Sequence, residues 1–283
     1  MTSETRLGHV LELLDDESPV ARAAFAREML ALGSARESML NALPVPPSRA
    51  QHRRIHQLVS AHCRERIRGA WYTWMEEPEE LDRLERGLSL LSAFHGQRES
   101  EAVLPRLLDQ VADDFKATGM DRDTFRLARY LFLERGLGGN RDDFYAPENS
   151  DLAWVIENHR GIPISLVSIY MLVGARLGLT IHGCNWPGHF LAMVTYENKK
   201  MLVDCFEGGR FIEEGALHRV HTAAPPAARA LLKMPASAVS IVLRVLNNLT
   251  YAYKQAERWD DHHLVQELFA QTEARLTGED QPA

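Results

Sequence analysis

With 283 residues, 45% hydrophobic and 25% charged, the chain has an ordinary globular composition and enough length for one large or two small domains. Its net charge of −7 argues against a general nucleic-acid or membrane-surface role. Three cysteines, Cys63, Cys184 and Cys205, are few, odd in number and not spaced as a metal knuckle, which suits a reducing cytoplasm. Met1-Thr2-Ser3-Glu4-Thr5 shows neither the basic nor the apolar region of a secretion signal.

The first third reads as helices. Leu7, Val10, Leu11 and Leu14 follow i, i+3, i+4, i+7. Ser18-Pro19 starts a second helix that runs to Gly33, and the pair together resembles one HEAT-type hairpin. Pro44, Pro46 and Pro47 interrupt the chain, and a long helix from Ser48 buries Ile55, Leu58, Val59, Cys63 and Ile67. Further helices are expected from Pro78 to Gly96, Val103 to Phe115 and Asp121 to Leu133. No Gly/Ser-rich linker separates these helices from the central region, so they are expected to pack on it.

The stretch from Asn149 to Asp204 organises the chain. From Ile164 to Leu177 apolar residues lie on nearly every side, the pattern of a buried helix, and the run is too short for a membrane span, which needs roughly 20 residues. Pro163 suits the first helical turn and Gly178 the C-terminal cap. Beyond it the period becomes two. Thr180 to Asn185, His189 to Tyr196 and Lys200 to Phe206 read as strands, with Glu197-Asn198 a tight turn and Arg210-Phe211-Ile212 a further return. His189 starts one strand and Asp204 ends its antiparallel neighbour, so the geometry permits a His–Asp hydrogen bond.

A buried helix followed by a strand with His and a strand with Asp resembles the transglutaminase-like superfamily with its papain-like core. Arg160-Gly161-Ile162-Pro163-Ile164-Ser165-Leu166, Pro187-Gly188-His189-Phe190-Leu191 and the upstream Gly139-Asn140-Arg141-Asp142-Asp143-Phe144-Tyr145 resemble its bacterial SirB-type branch. The resemblance implies an α+β, predominantly helical fold: a buried central helix on a small antiparallel sheet, with helical flanks at both ends. It implies three regions: helical 1–96, the transglutaminase-like core 97–221, and a helical tail 222–283.

Enzymes of this family use Cys, His and Asp, with the thiolate at the helix N-terminus. The resemblance lays the histidine on His189 and the aspartate on Asp204, but the cysteine position falls on Pro163. Proline removes both the nucleophile and a backbone N–H that would serve an oxyanion hole. Ser165, the nearest hydroxyl, stands two residues along, about 200° around the helix, and is expected to face away.

Ala236 to Ala256 reads as a long helix. With Leu246-Asn247-Asn248-Leu249, Tyr251, Tyr253 and Trp259 and a helix from Asp261, it resembles one tetratricopeptide hairpin, expected to cap the core. His52 and His56 with His62 and Cys63, or His182 and Cys184 with His189, lack a complete ligand set, so no metal and no cofactor is expected. His218, His221, His262 and His263 read as surface residues, and Arg160 with Asp151 as a solvated ion pair. Two functions stay open. One is a non-catalytic, cytoplasmic protein that binds a peptide or protein partner in the old substrate cleft, with no nucleic-acid or membrane partner. The other is an amide- or peptide-bond hydrolase or acyltransferase that uses His189 and Asp204 with an unorthodox nucleophile, Ser165 or Cys184.

Overall fold

A computed structural model describes residues 3–186, 189–213 and 234–278. Pro187-Gly188, His218, His221 and Pro225-Pro226 lie outside the described residues. The fold is α+β and predominantly helical, as the sequence indicates. Helices α1 (Ser3–Glu12), α2 (Pro19–Ala31), α3 (Arg36–Asn41) and α4 (Arg49–Ala70) form the N-terminal part. Ser48 caps α4 through a capping box: its hydroxyl accepts from the Gln51 N–H while the Gln51 side chain reaches back to the Ser48 N–H. Helices α5 (Glu80–His95), α6 (Val103–Ala117) and α7 (Thr124–Arg129) come next, the last continued by one π-turn, Tyr130–Glu134.

The central segment begins with a two-residue strand, β1 (Gly138–Gly139), which pairs in parallel with β2 (Arg160–Gly161). Between them lies α8 (Leu152–Asn158), which ends on His159 in the left-handed conformation, φ 61°. Directly after β2 comes α9 (Pro163–Arg176), buried at every position from Ile164 to Gly174. Its all-round apolar sequence is explained by the layers that wrap it: α6, α7 and α8 among the helices, and the sheet on the other side. Gly178, at φ 73°, turns the chain back, as a C-terminal glycine does.

Four antiparallel strands are then laid down in sequence order: β3 (Ile181–Trp186), β4 (His189–Tyr196), β5 (Lys199–Asp204) and β6 (Arg210–Glu213). The β4–β5 link places Glu197 and Asn198 at φ 48° and 59°, the pattern of a type I′ hairpin turn. Phe190, Ala192, Val194, Val203 and Cys205 face the main core; Cys184, Trp186, Leu191, Met193 and Leu202 form a second cluster on the other face. Helices α10 (Ala238–Gln255) and α11 (Trp259–Thr277) complete the fold, α10 lying against α5. One continuous apolar core runs from Leu7 to Leu268, so the helical flanks pack on the central segment. Among the described residues no helix is long and apolar enough to cross a membrane.

Candidate functional site

The α9 helix and strand β3 have matched lengths. A helix of 14 residues rises about 21 Å and a strand of six about 20 Å. After the turn at Gly178, β3 runs back along α9, with Ile181 packed against Gly174. His189 starts the returning strand and Asp204 ends the next one, at the same rim of the sheet.

Ala192 pairs with Val203 across β4 and β5, which sets Leu191 opposite Asp204 and His189 diagonally beyond it on the same face. His189 Nε2 lies 3.3 Å from Asp204 Oδ2. The Asp204 contact raises the His189 pKa above its usual value against partial burial. Burial would raise the pKa of Asp204, but the His189 bond and charge, the Glu207 backbone N–H on its Oδ1 at 3.1 Å, and Arg210 outweigh it and hold it low. Asp204 orients the imidazole and leaves the second ring nitrogen, Nδ1, buried and without a hydrogen-bond partner among the described residues. Cys205 lies on the opposite face from Asp204, as the alternation requires.

At the helix end, Pro163 holds the first position of α9 after Ile162, which supplies no side-chain cap. Ser165 is fully buried and donates to the Asn149 carbonyl oxygen at 2.6 Å. Its hydroxyl is therefore committed to the backbone, away from the His–Asp pair. Asn149 is a hub: its Oδ1 accepts from Asn140 Nδ2, and its own Nδ2 donates to the carbonyls of Asp143 and Phe144 at 2.7 and 3.0 Å. Ser165 thus fixes the 140–150 loop and positions Phe144. Gly139, below that loop, has no room for a side chain: a Cβ there would stand 2.5 Å from the Phe206 ring. Cys184 is buried beside Leu191 in the second cluster, on the sheet face that also carries His189 and Asp204. Burial raises the pKa of Cys63 and of Cys205, leaving both poor nucleophiles.

A cleft of about 340 Å³ opens at the α9 N-terminus, between the 144–150 loop and α10. Ile162 forms its floor, Phe144 and Tyr145 one wall, Asn247, Asn248 and Tyr251 the other. Tyr145 and Tyr251 approach to 4.8 Å between ring centres, and Phe144 bridges to Phe206, whose ring lies 6.4 Å from that of His189. Phe144, Tyr145 and Tyr251 are 40%, 57% and 47% exposed and pack ring against ring at the cleft mouth. Two larger cavities are about 580 Å³ beside Leu179 and His182, and about 670 Å³ beside His56 and His95, the second bounded by Glu148 on the other side of the 144–150 loop.

The sequence expectation of a solvated Arg160–Asp151 pair is corrected. Asp151 is 1% exposed and pairs with Arg98, at 2.6 Å, while also accepting from Ser92 Oγ and capping α8 through the Ala153 and Trp154 N–H groups. A second buried group was not foreseen: His95 Nδ1 meets the Tyr253 hydroxyl at 2.7 Å, and His95 holds the Glu148 pKa down to about 2. Partners 53 and 158 residues apart leave no local sequence signal; only Asp151 directly before a helix was readable, as a cap. His52 lies 3.5 Å from Glu37, and among the described residues no group of three His, Cys, Asp or Glu is placed to hold a metal ion.

Buried helix, antiparallel sheet and rim His–Asp pair define a transglutaminase-like core. The family model described as transglutaminase-like superfamily matches residues 98–247, more than half of the 283, and the chain belongs to that superfamily. It is similar to a UPF0162 protein of Xylella fastidiosa (strain Temecula1), 39% identical over 138 residues covering 47% of this chain and 49% of that one. A UPF0162 protein of Vibrio cholerae is 24% identical over 129 residues, covering 44% and 48%. The chain thus spans about half the length of these curated relatives. A shorter likeness, 40% over 61 residues and 22% of this chain, is to 10% of mouse F-box only protein 21. No solved structure matches the chain.

Proposed function

We propose that this chain is a non-catalytic transglutaminase-like protein of the SirB-type branch that binds a short peptide segment of a partner in the cleft beside α9. The observation that carries the reading is Pro163 at the first position of α9, where the family resemblance puts the thiol. A helix N-terminus offers its dipole and N–H groups to an anionic nucleophile, and proline supplies neither a nucleophile nor an N–H. Ser165 cannot stand in while it donates to Asn149. The cleft, by contrast, carries the groups an extended segment needs: exposed aromatic rings for a side chain and the amides of Asn247 and Asn248 for a main chain. The tetratricopeptide-like α10–α11 hairpin serves as a cap on the core and supplies one wall of the cleft. A cytoplasmic setting belongs to the same proposal, supported by the few cysteines, odd in number. Retention of a pool of random hexapeptides on the immobilised protein tests the reading. Selective retention that Tyr251→Ala abolishes supports it; retention indifferent to Tyr251 and Phe144 refutes it.

A second reading has its own observation. His189 Nδ1 is buried and has no hydrogen-bond partner among the described residues while Asp204 holds Nε2, the arrangement of a base with its orienting carboxylate. On that reading Ser165 or Cys184 acts as the nucleophile in amide-bond chemistry. It requires Ser165 to leave Asn149, or the Cys184 thiol to turn toward His189 along the sheet face they share. His189-dependent labelling of either residue by a covalent probe distinguishes it from the first.

A further inference from the structure

The polar face of α10 carries one residue that the cleft lining does not use. Arg244, Asn247, Asn248 and Tyr251 stand at i, i+3, i+4 and i+7, a single stripe along the helix. The last three line the cleft; Arg244 lies one turn further on, at the end where β3 and β4 join. Its guanidinium rests 5.4 Å above the Phe190 ring and donates to Asn185 Oδ1 at 3.1 Å. It is half-buried, yet among the described residues it pairs with no carboxylate. Four other partly covered arginines pair with carboxylates within 3.1 Å, Arg64 with Asp261, Arg98 with Asp151, Arg135 with Asp114 and Arg176 with Glu85, whereas Arg66 is held by the carbonyls of Arg98 and Glu99 and Arg36 by the Gln97 amide. Burial accordingly lowers the Arg244 pKa with no acidic neighbour opposing it.

A guanidinium drawn partly out of water without a counter-charge is an incomplete arrangement, and an anion completes it. We propose that Arg244 binds the C-terminal carboxylate of a peptide lying along this stripe, which makes it the specificity-determining residue of the cleft. The inference rests on the peptide-binding reading above. From Arg244 to Tyr251 the helix rises about 10 Å, the length of three extended residues. The third residue from the chain end therefore meets the Tyr145–Tyr251 rings, and the amides of Asn247 and Asn248 meet the main chain between. A terminal carboxylate continues the line of the main chain, whereas an acidic side chain leaves it sideways. The aromatic end and the cationic end thus select a chain terminus with an apolar or aromatic residue two places before the last.

The test uses the full-length chain and a pool of random hexapeptides, prepared once as free acids and once as C-terminal amides, with retention read by mass spectrometry. Free acids are expected to be retained at least about tenfold better than amides, the lower end for a charge-assisted hydrogen bond. Arg244→Gln should erase that difference at an unchanged melting temperature, and Tyr251→Ala should weaken retention of both pools. Equal retention of acids and amides that Tyr251→Ala still weakens overturns the carboxylate inference and leaves the cleft intact. Amides with internal Asp or Glu retained as well as free acids overturn the choice of a chain end. Retention indifferent to Tyr251 overturns both readings.

Discussion

His189 and Asp204 meet diagonally across the β4–β5 pair, Nε2 to Oδ2 at 3.3 Å, with the carboxylate almost wholly covered and the imidazole at the rim. Each holds the other in its charged form, so the pair links stability to pH. The raised His189 value contributes stability that is complete below the unfolded value of about 6.5 and is lost as pH rises through the folded one. The depressed Asp204 value contributes stability present above about 4 and lost as pH falls through the folded one. The melting-temperature gap between the native chain and Asp204→Asn should therefore be larger at pH 5.5 than at pH 8.5. A gap of equal size at both would show that the two groups do not interact in solution.

Ser165 should act through the loop rather than through chemistry. Its hydroxyl satisfies the buried Asn149 carbonyl, and Asn149 in turn holds Phe144. Ser165→Ala leaves that carbonyl unpaired, which costs about 1–3 kcal/mol, and should weaken peptide retention together with stability. A variant as stable as the native chain would remove Ser165 from this positioning role.

Met171 and Leu172 are 4% and 1% exposed in the middle of α9. Cutting either back to Ala should cost about 2–5 kcal/mol in thermal or urea unfolding, the usual range for a filled core site. A silent substitution would mean that α9 is not the packed centre.

Asp151 should be at least as sensitive. Asp151→Ala strands Arg98 and removes the α8 cap, and loss of one partner of a buried pair costs about 3–5 kcal/mol. A loss below about 1 kcal/mol, the level of an exposed pair, would contradict the buried network.

The features legible in the sequence were local. The unbroken apolar run from Ile164, the period-two strands and Glu197-Asn198 each carry their own geometry, and together they place His189 beside Asp204. The rest depends on residues far apart in the chain. Nothing near Asp151 points to Arg98, and the nearer Arg160 was the natural guess. Asn247, Asn248 and Tyr251 read as part of a helical hairpin, because their role beside Ile162 exists only once α10 packs across the α9 N-terminus. Arg244 was invisible for the same reason: a guanidinium without a counter-charge is recognised only when its surroundings are known.

The proposed absence of family-type catalysis rests on Pro163 and is tested most directly by cysteine reactivity. Iodoacetamide alkylation, monitored residue by residue by mass spectrometry, compares the native chain, His189→Ala, Pro163→Cys, and Pro163→Cys with His189→Ala. Cys63, Cys184 and Cys205 are all buried and should react slowly, at rates that His189→Ala leaves unchanged. A thiol at position 163 should react faster than all three, and only while His189 is present. Rapid, His189-dependent alkylation of a native cysteine would contradict the account.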